Sequence, residues 1–209
     1  MEKEFYYNID KNAVTELKER GSRFIAYAYP VLSVDDCKTK LNVLKKEHPK
    51  ATHHCFAYRV GSEGDVYRVN DAGEPSGTAG KQILGQIDSR QLTNTLVVVV
   101  RYFGGTLLGV PELINAYKSV TALVLQLTPV SQKAVEAAYL LRFNYTQVND
   151  VMTIIKQCDC SIIEQQMMLF CEILIGIPLG RLSEALHRLA DIRDIELVKR
   201  NKPSCPQII

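Results

Sequence analysis

Apolar positions change period several times along the chain, and each change predicts an element. Phe24-Ile25-Ala26-Tyr27-Ala28-Tyr29 is an unbroken apolar and aromatic run that predicts a strand. Ser33 followed by Asp36 three positions later has the capping-box pattern. Val34, Cys37, Leu41 and Leu44 then repeat at helical spacing as far as Pro49, predicting a helix. His53 to Val60 predicts a second strand, with Val66-Tyr67-Arg68-Val69 its hairpin partner across Gly61-Ser62-Glu63-Gly64. Ile83, Leu84 and Ile87 predict a short helix. Leu96-Val97-Val98-Val99-Val100 has no polar alternation, which places both of its faces in the interior of a sheet. Leu113, Tyr117, Val120 and Val124 predict a long helix that stops near Leu127-Thr128-Pro129.

Beyond that break the rhythm is simpler. Val135 to Phe143 reads as a strand, and Val148, Met152 and Ile155 as a helix. Ile162 and Met167 to Ile175 form a hairpin turning near Glu164-Gln165-Gln166. Leu182, Leu186 and Leu189 are helical, and Ile195-Glu196-Leu197-Val198 closes as a strand. The order β-α-β-β-α-β is the ferredoxin-like split motif. The chain is therefore expected to be α+β with two domains, 1–128 and 129–209.

Composition narrows the function classes. Of 209 residues, 46% are apolar and 23% charged, which excludes a disordered chain. The net charge of +2 excludes coating nucleic acid with the whole surface, so a nucleic-acid partner must meet a local patch. No apolar run approaches the roughly 20 residues needed to cross a bilayer. Met1-Glu2-Lys3-Glu4-Phe5 lacks the basic and apolar regions of a secretory signal. Cys37, Cys55, Cys158, Cys160, Cys171 and Cys205 show no framework spacing and read as reduced thiols. A cytoplasmic protein without membrane association is expected.

Nine of the 12 glycines fall between Gly61 and Gly109, concentrating tight or closely approached backbone in two loops. The first runs Asn70-Asp71-Ala72-Gly73-Glu74-Pro75-Ser76-Gly77-Thr78-Ala79-Gly80-Lys81. Its small residues can turn backbone N–H groups outward, Ser76 or Thr78 can cap the following helix, and Lys81 adds an ammonium. Together these make an anion site; the competing reading is a Gly/Pro turn with an ordinary cap. A P-loop is excluded, because Pro75 and Gln82 stand where glycine and Ser/Thr are needed. The second loop follows Arg101-Tyr102-Phe103-Gly104-Gly105 and continues through Thr106-Leu107-Leu108-Gly109. Its spacing matches neither the dinucleotide fingerprint nor the RNA-recognition signature. Arginine beside aromatics suits a phosphate or a stacked base. Alternatively, Tyr102 and Phe103 cap the core while Arg101 pairs with Asp71 or Glu74.

His53 and His54 are neighbours on a strand, so they face opposite ways and cannot chelate one ion together. One is expected to line a polar cleft while the other packs. No C-x-x-C or H-E-x-x-H occurs, and no metal or cofactor is expected. Asp71 and Glu74 are the only acid/base candidates in the loops, and carboxylates there also serve turn chemistry alone. No catalytic residue is assigned.

These motifs resemble the IMPACT/YigZ family. The resemblance rests on Ser22-Arg23-Phe24-Ile25, His53-His54-Cys55 with Tyr58, and Asp71 with Gly73 to Gly80. It continues through Val99 to Gly105, Leu107-Leu108-Gly109 and Ala116-Tyr117, covering about residues 20–126. Residues from about 133 to 200 resemble the small C-terminal domain of the bacterial branch. The resemblance implies a two-layer α/β first domain, of the type shared with ribosomal proteins and domain four of elongation factor G, followed by a ferredoxin-like one. It implies a role in translation. Eukaryotic relatives regulate it under amino-acid starvation, by competing for the activator of a kinase that phosphorylates initiation factor two. For bacterial members RNA or ribosome binding is the usual inference.

One departure changes the chemistry. After Leu-Leu-Gly the family usually has Thr-Gly-Gly-Leu, whereas here Val110-Pro111-Glu112-Leu113 follows. Pro111 suits the first turn of a helix, and Glu112 would compete with any anion for the helix dipole. The leading expectation is a non-catalytic translation regulator in stress response. Its ligand-binding residues would be His53, His54, Asp71, Gly73, Glu74, Ser76, Gly77, Thr78, Ala79, Gly80, Lys81, Arg101, Tyr102, Phe103, Gly104 and Gly105. RNA, the ribosome or a translation-associated protein would be its partner. An enzyme acting on a small anionic metabolite and a protein-interaction module are the alternatives.

Overall fold

A computed structural model describes residues 3–200. The described chain divides into two compact units, one of Tyr6–Lys133 and one built from the remaining described residues.

The first unit is organised by a five-stranded antiparallel sheet in the order β2-β3-β6-β4-β5. These strands are β2 (Ala13–Glu19), β3 (Ser22–Pro30), β4 (His53–Val60), β5 (Val66–Asn70) and β6 (Thr95–Tyr102). β6 is central, and Leu96 to Val100 are all fully buried. A strand apolar on both faces needs cover on both, and the helices supply it. Cys37, Leu41 and Leu44 of α1 (Val34–Glu47) pack on one face, against Ile25, Val98 and Val100. Ile83 and Ile87 of α2 (Gly80–Ser89) pack on the other with Tyr117 and Val120 of α3 (Val110–Gln126), against Phe24, Val97 and Val99. Three layers result, which corrects the two-layer expectation: β6 is too apolar to leave a face bare.

The α1 start follows its sequence signal, since Ser33 Oγ accepts from the Asp36 amide at 3.1 Å. Three strands were not expected. β1 (Phe5–Ile9) pairs with β7 (Val130–Ala134) in a two-stranded ribbon. β2 joins β3 through Arg20 and Gly21, both at positive φ (45° and 82°), the geometry of a tight hairpin turn. Its alternation of Leu17 inward and Lys18 outward was legible, but its polar share masked it.

The second unit runs β8 (Glu136–Asn144), α4 (Val148–Gln157), β9 (Ser161–Gln166), β10 (Phe170–Pro178), α5 (Leu182–Ala190) and β11 (Glu196–Arg200). Its sheet order is β11-β8-β10-β9. Leu141, Ile173 and Ile175 form its core with Val151, Ile155 and Leu189 of the helices. The expected turn at Glu164–Gln166 is displaced. Gln165 and Gln166 pair with Ile173 and Glu172, and the hairpin turns at residues 167–169. Among the described residues Cys37, Cys55, Cys158, Cys160 and Cys171 are free thiols; Cys205 lies outside them. No described helix is long and apolar enough to cross a membrane.

Candidate functional site

The first glycine loop closes around Asp71. One carboxylate oxygen of Asp71 accepts the amides of Ala79 at 3.0 Å and Gly80 at 2.8 Å, and the other accepts that of Gly77 at 2.9 Å. Asp71 thus acts as a remote cap for α2, whose own N-cap, Ala79, has no side chain able to cap. Thr78 Oγ1 donates instead to the Pro75 carbonyl at 2.7 Å, and Ser76 is exposed. The outward-facing amides expected at Gly77, Ala79 and Gly80 are therefore corrected: a carboxylate from the same loop already occupies them. A charged acceptor held in place outcompetes water for such donors. Lys81 is exposed in the first turn of α2.

Glu74 is the centre of a buried polar cluster. Its Oε1 accepts from Arg101 Nη1 at 2.6 Å and from the Tyr117 hydroxyl at 2.7 Å. Both side chains of the ion pair are almost fully buried, 3% exposed for Glu74 and 5% for Arg101. Arg101 Nη2 donates to Ser22 Oγ at 3.3 Å, and its guanidinium lies 5.2 Å from the Phe24 ring centroid. Arg101 is consequently not available to an external phosphate, the alternative already open from its neighbourhood to Glu74. His53 joins from β4: its Nδ1 is 2.9 Å from the Ala72 carbonyl, which requires the proton on that nitrogen, and its Nε2 is 3.8 Å from Glu74 Oε1. Gly73, at φ 90°, sits against this ring; a Cβ there would stand 3.4 Å from His53 Nδ1.

Cys55 also faces this cluster. Its sulfur is 3.0 Å from the Asp71 carbonyl and 3.2 Å from the Tyr117 hydroxyl. Burial pushes the thiol up to about 12, so no thiolate nucleophile forms near neutral pH. Burial, then the neighbouring Cys55 and Glu74, holds the Tyr117 phenol well above its ordinary range, and it stays a proton donor to Glu74. In the sequence Tyr117 marks a helix face and, with Ala116, part of the family resemblance, but it is absent from the expected ligand-binding residues. The signal that it does more is physical: a phenol on a buried helix face needs a partner for its hydroxyl.

The second loop is held differently. The Gly104 amide donates to Ser22 Oγ at 3.3 Å, and the Phe103 amide to Thr52 Oγ1 at 3.2 Å. Beyond these anchors Phe103, Leu107 and Val110 are 45%, 85% and 51% exposed, while Leu108 is buried. Glu112 folds back on the start of α3, where a Cβ on Gly109 would meet its Oε2 at 2.8 Å. Arg20 Nη2 approaches its other oxygen at 3.4 Å. Both helix starts beside the loops therefore carry a carboxylate of the chain itself.

Of the remaining predicted residues, His54 and Tyr102 lie on the opposite face of the sheet, with α1. Burial, then Lys45 and His48, holds His54 below its ordinary value, and its Nε2 is buried without a hydrogen-bond partner. Tyr102 bonds to His48 Nδ1 at 2.8 Å. Gly105, at φ 86°, turns the exposed loop. Among the described residues no cluster of His, Cys, Asp or Glu could hold a metal ion.

Residues 20–125, which carry four of the five strands of the first sheet, both glycine loops and the buried cluster, match the Impact N-terminal domain. The chain is 33% identical over 180 residues to the IMPACT family member YigZ of Escherichia coli, covering 85% of this chain and 87% of that protein. It is 33% identical over 174 residues to an IMPACT family member of Haemophilus influenzae, covering 82% and 84%. A crystal structure of a hypothetical protein superposes with a TM-score of 0.75 at 28% identity, over 96% of this chain and 99% of that one. The protein belongs to the IMPACT family, in its bacterial YigZ-type branch.

Proposed function

We propose that this protein is a non-catalytic regulator of translation that acts in the cytoplasm. It docks the β6–α3 loop, through Phe103, Leu107 and Val110, onto a protein of the translation apparatus. The observation that carries this reading is the internal commitment of both loop carboxylates. Asp71 is filled by three amides, and the Glu74 oxygen facing the cluster by a guanidinium and a phenol. An acid–base pair needs a carboxylate free to exchange a proton with substrate. What the second loop offers outward is Phe103, Leu107 and Val110, on a base anchored to Ser22 and Thr52, which is the anatomy of a docking element. Family membership supports translation as the process. The β11-β8-β10-β9 order supports reading the second unit as ferredoxin-like.

Purified protein added to a cell-free translation reaction is expected to change reporter yield. Leu107→Asp is expected to abolish that change while leaving the unfolding midpoint near wild type, because the side chain is 85% exposed. A wild-type protein without effect on yield contradicts the function. A Leu107→Asp variant as active as wild type contradicts the loop. Thermal stabilisation by a small phosphorylated metabolite would instead favour an enzyme.

A further inference from the structure

The second unit leaves one face of its sheet uncovered by its own helices. α4 and α5 both pack on the side of Leu141, Phe143, Ile173 and Ile175. Side chains alternate across a sheet, so the residues between these point the other way. Strand register sets them in rows. One row crosses the four strands as Val198, Leu140, Leu174 and Glu164. The next, nearer the hairpin turn, runs Glu196, Arg142, Glu172 and Gln166. Phe170, 72% exposed, stands beyond them on the same face, beside the exposed Met167, Met168 and Leu169 of the turn.

This face is concave. Leu140 and Leu174 line a groove of about 420 Å³ with Glu164, Gln165, Gln166 and Glu172. Leu174 is buried, Leu140 and Val198 are half-buried, and Glu164 and Gln166 are exposed. The groove therefore has an apolar floor and a polar, acidic rim.

Charge indicates what would lie in it. Glu136, Glu164, Glu172 and Glu196 share the face with only Arg142 and Arg200. Arg142 is divided between two of these carboxylates, 2.7 Å from Glu172 and 3.5 Å from Glu196. Among the described residues Glu164 has no ion-pair partner. Arg193 and Asp194, at the same end, pair with each other at 3.6 Å and add no net charge. The whole chain nets +2, so this face has the opposite sign. It repels phosphate and attracts cations.

We propose that this face is a second docking surface, which takes a basic amphipathic helix of a protein partner. The apolar stripe of that helix lies on Val198, Leu140, Leu174 and Phe170, and its flanking Lys or Arg side chains meet Glu164, Glu172 and Glu196. Such a helix carries apolar groups at i, i+3, i+4 and i+7 with polar groups beside them, the complement of an apolar row bordered by carboxylates. The sheet would then have helices on both faces, as the first sheet already does. An extended segment would instead pair along the edge of β9 and leave the groove empty. The face shares no residue with the β6–α3 loop.

The probe is a labelled synthetic helix of about 18 residues, or five turns, with leucine on one face and lysine on the other. It is titrated into the full chain by fluorescence anisotropy. A scrambled peptide of the same composition keeps the charge and loses the stripe. Wild type is expected to bind the amphipathic peptide roughly tenfold more tightly than the scrambled one. Glu164→Lys/Glu196→Lys, at two exposed positions, is expected to weaken binding roughly tenfold and to flatten its salt dependence. Methyl resonances of Leu140, Leu174 and Val198 in the wild-type protein should shift on binding, while those of Leu107 and Val110 stay in place. Leu107→Asp should bind as wild type does, which keeps this surface apart from the loop. Equal affinity for the scrambled peptide, full affinity in the charge variant, or shifts confined to the β9 edge amides overturns the proposal. Self-association in sedimentation that the charge variant abolishes would assign the face to a second copy of this chain and overturn the helix.

Discussion

Glu74 joins three elements through one of its oxygens. Through it the first glycine loop, β6 at Arg101 and α3 at Tyr117 are bonded at a single point. Breaking a buried ion pair by removing one partner leaves an uncompensated charge, which costs about 3–5 kcal/mol. Glu74→Gln is therefore expected to destabilise the first unit by about that amount in urea titration. Glu74→Leu with Arg101→Met should recover much of the loss, since an apolar pair of similar volume needs no counter-charge. The pairing of Arg101 was open in the sequence as one of two readings. The role of Asp71 was not legible, because an aspartate eight and nine residues before the amides it caps leaves no spacing signature.

At the scale of elements, the contrast between Gly104 and Gly105 shows why this loop has adjacent glycines. A Cβ on Gly104 would lie 1.9 Å from the backbone carbon of Gly21, so the β2–β3 turn and the β6–α3 loop touch backbone to backbone. Gly105 has open space around it but a φ of 86°. Gly105→Ala is expected to cost only about 1 kcal/mol, the conformational penalty. Gly104→Ala must push two loops apart and is expected to cost about 3 kcal/mol. Equal midpoints for the two variants in thermal unfolding would contradict this contact. The sequence marked both glycines, but the partner of Gly104 is 83 positions away in a hairpin that its polar composition concealed.

For the molecule as a whole, each unit has its own fully buried core. Ile173→Ala in the second is expected to cost about 2–5 kcal/mol, as other large-to-small core changes do. With two separate cores, calorimetric unfolding should depart from a single two-state transition. Glu74→Gln should lower one component and Ile173→Ala the other. One cooperative peak shifted alike by both variants would show that the units unfold together.

The burial of β6 on both faces, the α1 cap at Ser33 and the β-α-β-β-α-β order of the second unit were determined by the sequence itself. Each depends on periodicity or on groups within a few residues, and local sterics and hydrogen bonding act at that range. The same is true of the family motifs, which are short runs. Only the tertiary structure decided where polar groups find their partners. It turned the amides of Gly77, Ala79 and Gly80 to Asp71, closed Arg101 onto Glu74, and decided that His53 and not His54 is the histidine that faces the polar cluster. Those outcomes depend on which distant donor and acceptor meet once water is excluded, and a buried group takes the partner that the fold brings to it.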